Sequence, residues 1–246
     1  MCRLLGYVSK DPVTFSDLLG NPLNDFVAMS HEHKDGWGVA SCDFASDHVA
    51  LIKDLTLAAE SPRFTDVSTQ HLATGALLHL RLASDGIEVD ISNNHPFTLD
   101  TYSFMHNGTI KDFDRIESEI SSKYLDKFVS TTDSERYFYR VLTEIDAKGL
   151  VEGYLDAVRK ISATMDFTSI NSMLLTPEYF IAVCEFNEGD NSEWTVDSHY
   201  ELRFIHETNT IKVASTGWGK DHWERLPNHS ALVINRKDLS FEVLSI

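Results

Sequence analysis

Apolar residues follow two rhythms along this chain. Short apolar runs and alternations over residues 4–8, 75–81, 97–105, 169–175, 179–186, 200–206, 210–215, 230–235 and 240–244 predict strands, each bounded by glycine, proline or polar clusters. Residues 39–44 and 48–54 predict two more. A second rhythm occupies the middle: Tyr137, Phe138, Val141, Leu142 and Ile145 recur at helical spacing, as do Leu150, Val151, Tyr154, Leu155, Val158 and Ile161, with Gly149 between the two sets. Thr132-Asp133-Ser134-Glu135 stands before the first set as a capping box. Shorter helices are predicted over 13–19, ending at Gly20, and over 64–72, with a polar loop after Gly20. Asp11 and Pro12 are expected to end the first strand. Asn107-Gly108 carries the strongest short turn signal, although the polar and then helical residues after it do not require a simple hairpin.

Strands thus flank a central helical block instead of alternating with helices. That order predicts an α+β fold with largely antiparallel sheets and helices packed outside them. No internal repeat, low-complexity segment or Pro/Gly-rich linker interrupts the chain, so residues 1–246 read as a single domain.

Composition narrows the function. With 42% apolar residues, the 246-residue chain can bury a substantial core. A formal net charge of −17 opposes nucleic acid and anionic membrane as partners, since both are met by clustered Lys and Arg. The N-terminus lacks a basic segment followed by a long apolar one, and no run approaches a membrane span, so a cytoplasmic location is expected. Cys2, Cys42 and Cys184 are odd in number and widely spaced, which argues against a disulfide framework or a zinc knuckle. A functional cysteine here would act as a thiol.

Cys2 is chemically distinctive. Once Met1 is removed, it carries both a thiol and a free α-amine of pKa about 7.7 to 8, which can serve as the thiol's own base. Taken alone it reads better as an ordinary buried strand cysteine. Arg81 at a strand end, Asn107-Gly108 and Asp133 are polar groups at the ends of apolar elements, where scaffolds present reactive groups. Each also has a plain structural role open to it: surface arginine, turn, and partner of a helix dipole. His31-x-His33 lacks a third close ligand, so no metal site is expected, and His79, His95 and His106 read as hydrogen-bonded scaffold histidines.

Read together, Met1-Cys2, Asp35-Gly36-Trp37-Gly38, His79-Leu80-Arg81 with Ser84 and Gly86, Asn94-His95-Pro96-Phe97, His106-Asn107-Gly108 and Thr132-Asp133-Ser134-Glu135 resemble the class II, N-terminal nucleophile, glutamine amidotransferase family. The order and approximate spacing match over about the first 145 residues. The resemblance is greatest to stand-alone members, which include γ-glutamyl hydrolases of ergothioneine biosynthesis and a component of glutathione breakdown. It implies a four-layer α/β/β/α sandwich. It also implies Cys2 as nucleophile, Asn107 and Gly108 as the oxyanion hole, Arg81 as clamp for a substrate α-carboxylate, Asp133 as partner of the α-ammonium, and Ser84 in the substrate-binding set. No metal or organic cofactor is implied. Many synthase-linked members carry Trp and His where this chain has Leu82 and Asp85, a departure that loosens strict specificity for glutamine.

Three activities fit these residues. The first is hydrolysis of a small γ-glutamyl amide through a thioester. The second is a glutaminase subunit handing ammonia to a separate synthase. The third is a silent γ-glutamyl-binding protein, against which the retained thiol argues. The leaving group and the oligomeric state are not legible in the sequence.

Overall fold

Strand β1 (Arg3–Val13) alternates its side chains between two apolar layers, and the architecture follows from that alternation. Leu4 and Val8 point into the space between two sheets, while Leu5 and Tyr7 point into a layer covered by helices. With both faces buried, the strand reads as a continuous apolar run. The computed structural model describes residues 2–84, 86–189, 199–215, 218 and 222–246; the expectations concerning Met1 and Asp85 lie outside them.

After β1 come the short helices α1 (Phe15–Leu19) and α2 (Pro22–Ala28), strands β2 (Trp37–Ser41) and β3 (Ala50–Asp54), helix α3 (Pro62–Gln70) and strand β4 (Ala73–Leu80). The chain continues through β5 (Phe97–Leu99), β6 (Tyr102–Ile110), α4 (Phe113–Ser118), α5 (Asp133–Lys148) and α6 (Leu150–Thr164). It ends with β7 (Phe167–Leu175), β8 (Tyr179–Cys184), β9 (Leu202–Glu207), β10 (Thr210–Ser215), β11 (Glu224–Leu226), β12 (Ser230–Asn235) and β13 (Phe241–Ser245). One sheet has the order β11-β9-β10-β1-β4-β2-β3 and the other β13-β12-β8-β7-β6-β5, with antiparallel neighbours throughout.

Three cores bind four layers. Phe26, Trp37, Leu78 and Leu80 join α1–α3 to the first sheet. Leu77, Met105, Met173, Phe180 and Leu232 fill the space between the sheets. Phe104, Tyr137, Phe138, Tyr154, Val158 and Leu174 join the second sheet to α5 and α6. The result is the expected α/β/β/α sandwich. Among the described residues no helix is long and apolar enough to cross a membrane.

Several local expectations are revised by long-range pairing. β1 does not stop at Asp11-Pro12: its register against β4 shifts between Val8 and Val13, an irregularity that takes the proline out of the ladder. The polar stretch after Gly20 holds α2, with Pro22 in its first turn and Leu23 and Phe26 buried three residues apart. Residues 97–105 divide into two strands at Asp100, whose φ is +51°. Asn107-Gly108 is not a turn: β6 runs through it, pairing Asn107 with Asn171 and Gly108 with Ile170. Thr132 does cap α5, its Oγ1 accepting the Glu135 N–H at 3.3 Å. The Glu135 carboxylate, however, accepts the Val129 and Ser130 N–H groups, so the reciprocal half of the capping box is displaced onto the preceding loop.

Candidate active site

The centre of the first sheet delivers Cys2 to the end of the second. Its backbone N–H donates to Asn107 Oδ1 at 2.9 Å, a contact between residues 105 apart in sequence, and its Sγ lies 3.5 Å from the Leu82 carbonyl. Because Oδ1 faces Cys2, the other end of the Asn107 amide points away, and Nδ2 is buried with no hydrogen-bond partner among the described residues. A buried amide donor left open costs about 1–3 kcal/mol, so it marks a place where an acceptor is meant to sit. Cys2 is half-buried. Burial pushes its thiol above the ordinary range, with the nearby guanidiniums of Arg81 and Arg3 acting against that rise.

Arg81 directly follows β4 and is held at both backbone groups. Its N–H donates to the Gly36 carbonyl at 2.9 Å and its carbonyl accepts the Asp35 N–H at 3.0 Å. Asp35 Oδ2 accepts the Ala83 N–H at 2.8 Å, extending the clamp past the strand end. This is the structural work of Asp35-Gly36-Trp37-Gly38. The last glycine is required by space, since a Cβ at Gly38 would run into the carbonyl of His95. The Arg81 guanidinium is anchored by one arm, Nη2 donating to the Glu88 carbonyl at 3.1 Å, while Nη1 is buried without a partner among the described residues.

On β6, the ladder to β7 breaks immediately after the Asn107-Gly108 pair, with a register shift between Gly108 and Ile110. Thr109 N–H turns to Thr168 Oγ1 at 3.0 Å and Ile110 N–H to Asp133 Oδ2 at 2.7 Å. The carboxylate at the start of α5 is thereby bound to the strand that carries Asn107 and Gly108. Gly108 adopts φ +151° and lies so close to the Ser169 backbone that any Cβ would overlap its carbonyl. Cys2, Arg81, Asn107, Gly108 and Asp133 are all tied to neighbouring strand ends. Ser84 is exposed in the loop after Arg81; its carbonyl accepts the Ile87 N–H, and no hydrogen bond joins its side chain to the others among the described residues.

The supporting shell contains the histidines expected to be scaffold, together with Asn93 and Thr131, for which the sequence carries no signal. His106 bonds through both ring nitrogens, to Ser134 and Ser169, as a scaffold histidine should. His95 does not: both its nitrogens are buried without partners among the described residues, and its ring stacks on His79 at 4.3 Å. Burial, with His79 and His106 nearby, holds it well below the ordinary histidine range. Asn93 bridges to Thr131, donating to its Oγ1 at 3.3 Å and accepting its N–H at 3.0 Å, so the loop after Arg81 is fastened to the segment before Asp133. A separate cleft of about 420 Å³, lined by Phe44, Tyr102, Thr176 and Glu178, lies at the opposite end of β6 and contains none of these residues.

Residues 1–185 match the family described as glutamine amidotransferases, class II. The chain belongs to that family. Class II glutamine amidotransferases are enzymes, amidohydrolases and amidotransferases. Among its relatives, the probable glutamine amidotransferase DUG3 of Saccharomyces cerevisiae is 29% identical over 168 residues, covering 61% of this chain and 47% of that protein. The chain spans about half the length of the first curated relatives it matches. Among solved structures, a glutamine aminotransferase class-II domain protein of Silicibacter pomeroyi superposes with a TM-score of 0.70 at 17% identity, covering the whole of both chains. Glutamine phosphoribosylpyrophosphate amidotransferase from B. subtilis superposes with a TM-score of 0.62 at 14% identity, over 99% of this chain and 49% of that one. At these identities the likeness concerns the fold, and it agrees with the antiparallel sandwich described above.

Proposed function

We propose that this class II glutamine amidotransferase hydrolyses the γ-glutamyl amide bond of glutamine or a small γ-glutamyl compound, with Cys2 as nucleophile. The supporting observation is the Cys2–Asn107 contact, which sets a thiol beside a buried amide whose Nδ2 has no partner among the described residues. Removal of Met1 frees the Cys2 amine. That amine takes the thiol proton as Sγ attacks the γ-carbonyl carbon. Asn107 Nδ2 and the Gly108 N–H receive the oxyanion, each such donor contributing roughly 3 kcal/mol to the transition state. Collapse expels the amine, which takes the proton back from the Cys2 amine and leaves a thioester. Water then attacks the thioester, releasing glutamate and restoring the thiol.

Substrate recognition follows from charge. The open arm of Arg81 takes the α-carboxylate, and the Asp133 carboxylate, one oxygen of which is occupied by Ile110, takes the α-ammonium with the other. Ser84, in the exposed loop after Arg81, completes the substrate-binding set. The reaction needs no metal or organic cofactor. The whole of residues 1–246 acts as one amidotransferase domain, a reading supported by the way β10, far along the chain, pairs with β1 beside the site.

The test combines intact-mass analysis with glutamate release from L-glutamine and a panel of γ-glutamyl amides. Processed protein beginning at Cys2 should release glutamate, and Cys2→Ala should abolish release. Equal rates from protein homogeneous for retained Met1, or from Cys2→Ala, defeat the proposal.

A further inference from the structure

We infer that His106 is a positioning residue that holds the Asn107 and Gly108 donors at a fixed place relative to the Asp133 carboxylate. The inference rests on the functional reading above and adds to it the part that sets the geometry.

The ring is 1% exposed and both nitrogens are committed. Nε2 lies 3.0 Å from the Ser169 carbonyl, which can only accept, so Nε2 carries the hydrogen. Nδ1 lies 2.9 Å from Ser134 Oγ. Burial is the largest influence on the imidazole and pulls it below the ordinary histidine range, despite Asp133 nearby. The ring is therefore neutral at pH 7, and Nδ1 accepts from the Ser134 hydroxyl. A ring with one fixed tautomer and two bonds has no free nitrogen with which to move protons.

The three elements it joins give the bonds their meaning. Ser134 comes directly after Asp133 in the first turn of α5. His106 precedes Asn107 on β6. Ser169 belongs to β7, and its carbonyl is the group against which Gly108 is packed. The β6–β7 ladder is interrupted directly after Gly108, where the register shifts before pairing resumes between Ile110 and Phe167, so the backbone pairing is irregular at the point where the two donors end. The imidazole supplies a rigid strut across three elements at that point, braced by Tyr137 edge-on at 5.3 Å. A loose strut would cost turnover through misplaced donors, without requiring loss of the fold.

The test uses the full processed chain with L-glutamine. His106→Phe keeps the packing on Tyr137 and loses both bonds; its kcat should fall about tenfold to a hundredfold while KM stays within about threefold. His106→Gln, whose amide N–H reaches the Ser169 carbonyl, should recover most of that loss. Unchanged kcat in His106→Phe, or equal losses in the two variants, overturns the role. Histidine ¹⁵N NMR of the wild-type chain provides a readout independent of both variants' folding: His106 should show the neutral Nε2–H tautomer, and Ser134→Ala should shift its Nδ1 resonance. A protonated ring at pH 7, the Nδ1–H tautomer, or no response to Ser134→Ala also overturns it. Absence of Cys2-dependent hydrolysis of both L-glutamine and the panel of γ-glutamyl amides in wild type defeats the functional reading; normal wild-type hydrolysis with an unaffected His106→Phe defeats only the positioning role.

Discussion

Asp133 Oδ2 accepts the backbone N–H of Ile110 at 2.7 Å, two residues beyond Gly108 on the same strand. The carboxylate therefore has a structural bond as well as a negative charge to offer. The same contact links the start of α5 to the strand that reaches Cys2 through Asn107, so in the proposed reaction substrate charge and reacting atoms are referred to one strand, β6.

That double role separates two substitutions at Asp133. Asp133→Asn keeps an oxygen for Ile110 and loses the charge, so KM for L-glutamine should rise at least about tenfold with the melting temperature nearly unchanged. Asp133→Ala leaves the Ile110 N–H, which belongs to a buried residue, without its acceptor and should also lose about 1–3 kcal/mol of stability. Steady-state kinetics alongside urea denaturation distinguish the two; equal stability losses would place the main role of Asp133 in the fold.

In the proposed reaction Asn107 likewise uses both ends of its amide. Asn107→Ala should lower kcat by about a hundredfold or more, because the open Nδ2 meets charge that develops in the transition state. Asn107→Asp retains an acceptor for Cys2 and removes the donor, so it should be as inactive as Asn107→Ala while holding the N-terminus in place. Substantial turnover by Asn107→Asp would take the amide donor out of the mechanism.

Arg81→Lys keeps the charge and loses the fork. One arm now holds the Glu88 carbonyl while the other stays open, and a single ammonium cannot do both at those separations. A marked rise in KM is expected, together with faster proteolytic cleavage in residues 82–93 as that anchor is lost. Near-normal KM would remove Arg81 from carboxylate recognition.

Lys53 yields a pH signature. Its Nζ lies 5.1 Å from the Phe97 ring centroid, and burial, opposed by Glu135 and reinforced by Arg81, lowers its pKa to about 8. The unfolded value is about 10.4, so between these values the unfolded chain binds the more protons and stability rises with pH. Urea midpoints measured at about pH 7.5 and about pH 9.5 should show that rise, and Lys53→Met should flatten it by removing the titrating group. An identical pH dependence in Lys53→Met would show that other groups account for it.

The sequence by itself determined the elements with a local rhythm and the chemical identities at the site. Helices α5 and α6 meet at Gly149 where the apolar period restarts, and β4 ends one residue before Arg81 as its flanking residues indicate. Asp133, Asn107 and Cys2 were legible because charge, amide and thiol are properties of single residues in a recognisable order. Only the tertiary structure decided what those residues do to one another. Asn107-Gly108 has the local chemistry of a turn, yet it lies within β6 because Asn171 and Ile170, more than sixty positions away, complete its ladder. Asp133 has the look of a helix-capping charge, and only the approach of Ile110 gives it a backbone partner. His106 carries no periodic signal at all: its partners Ser134 and Ser169 lie 28 and 63 residues away. Side-chain periodicity records which face of an element is buried, whereas register, strand order and hydrogen-bond partners depend on chain segments that meet only when the two sheets close.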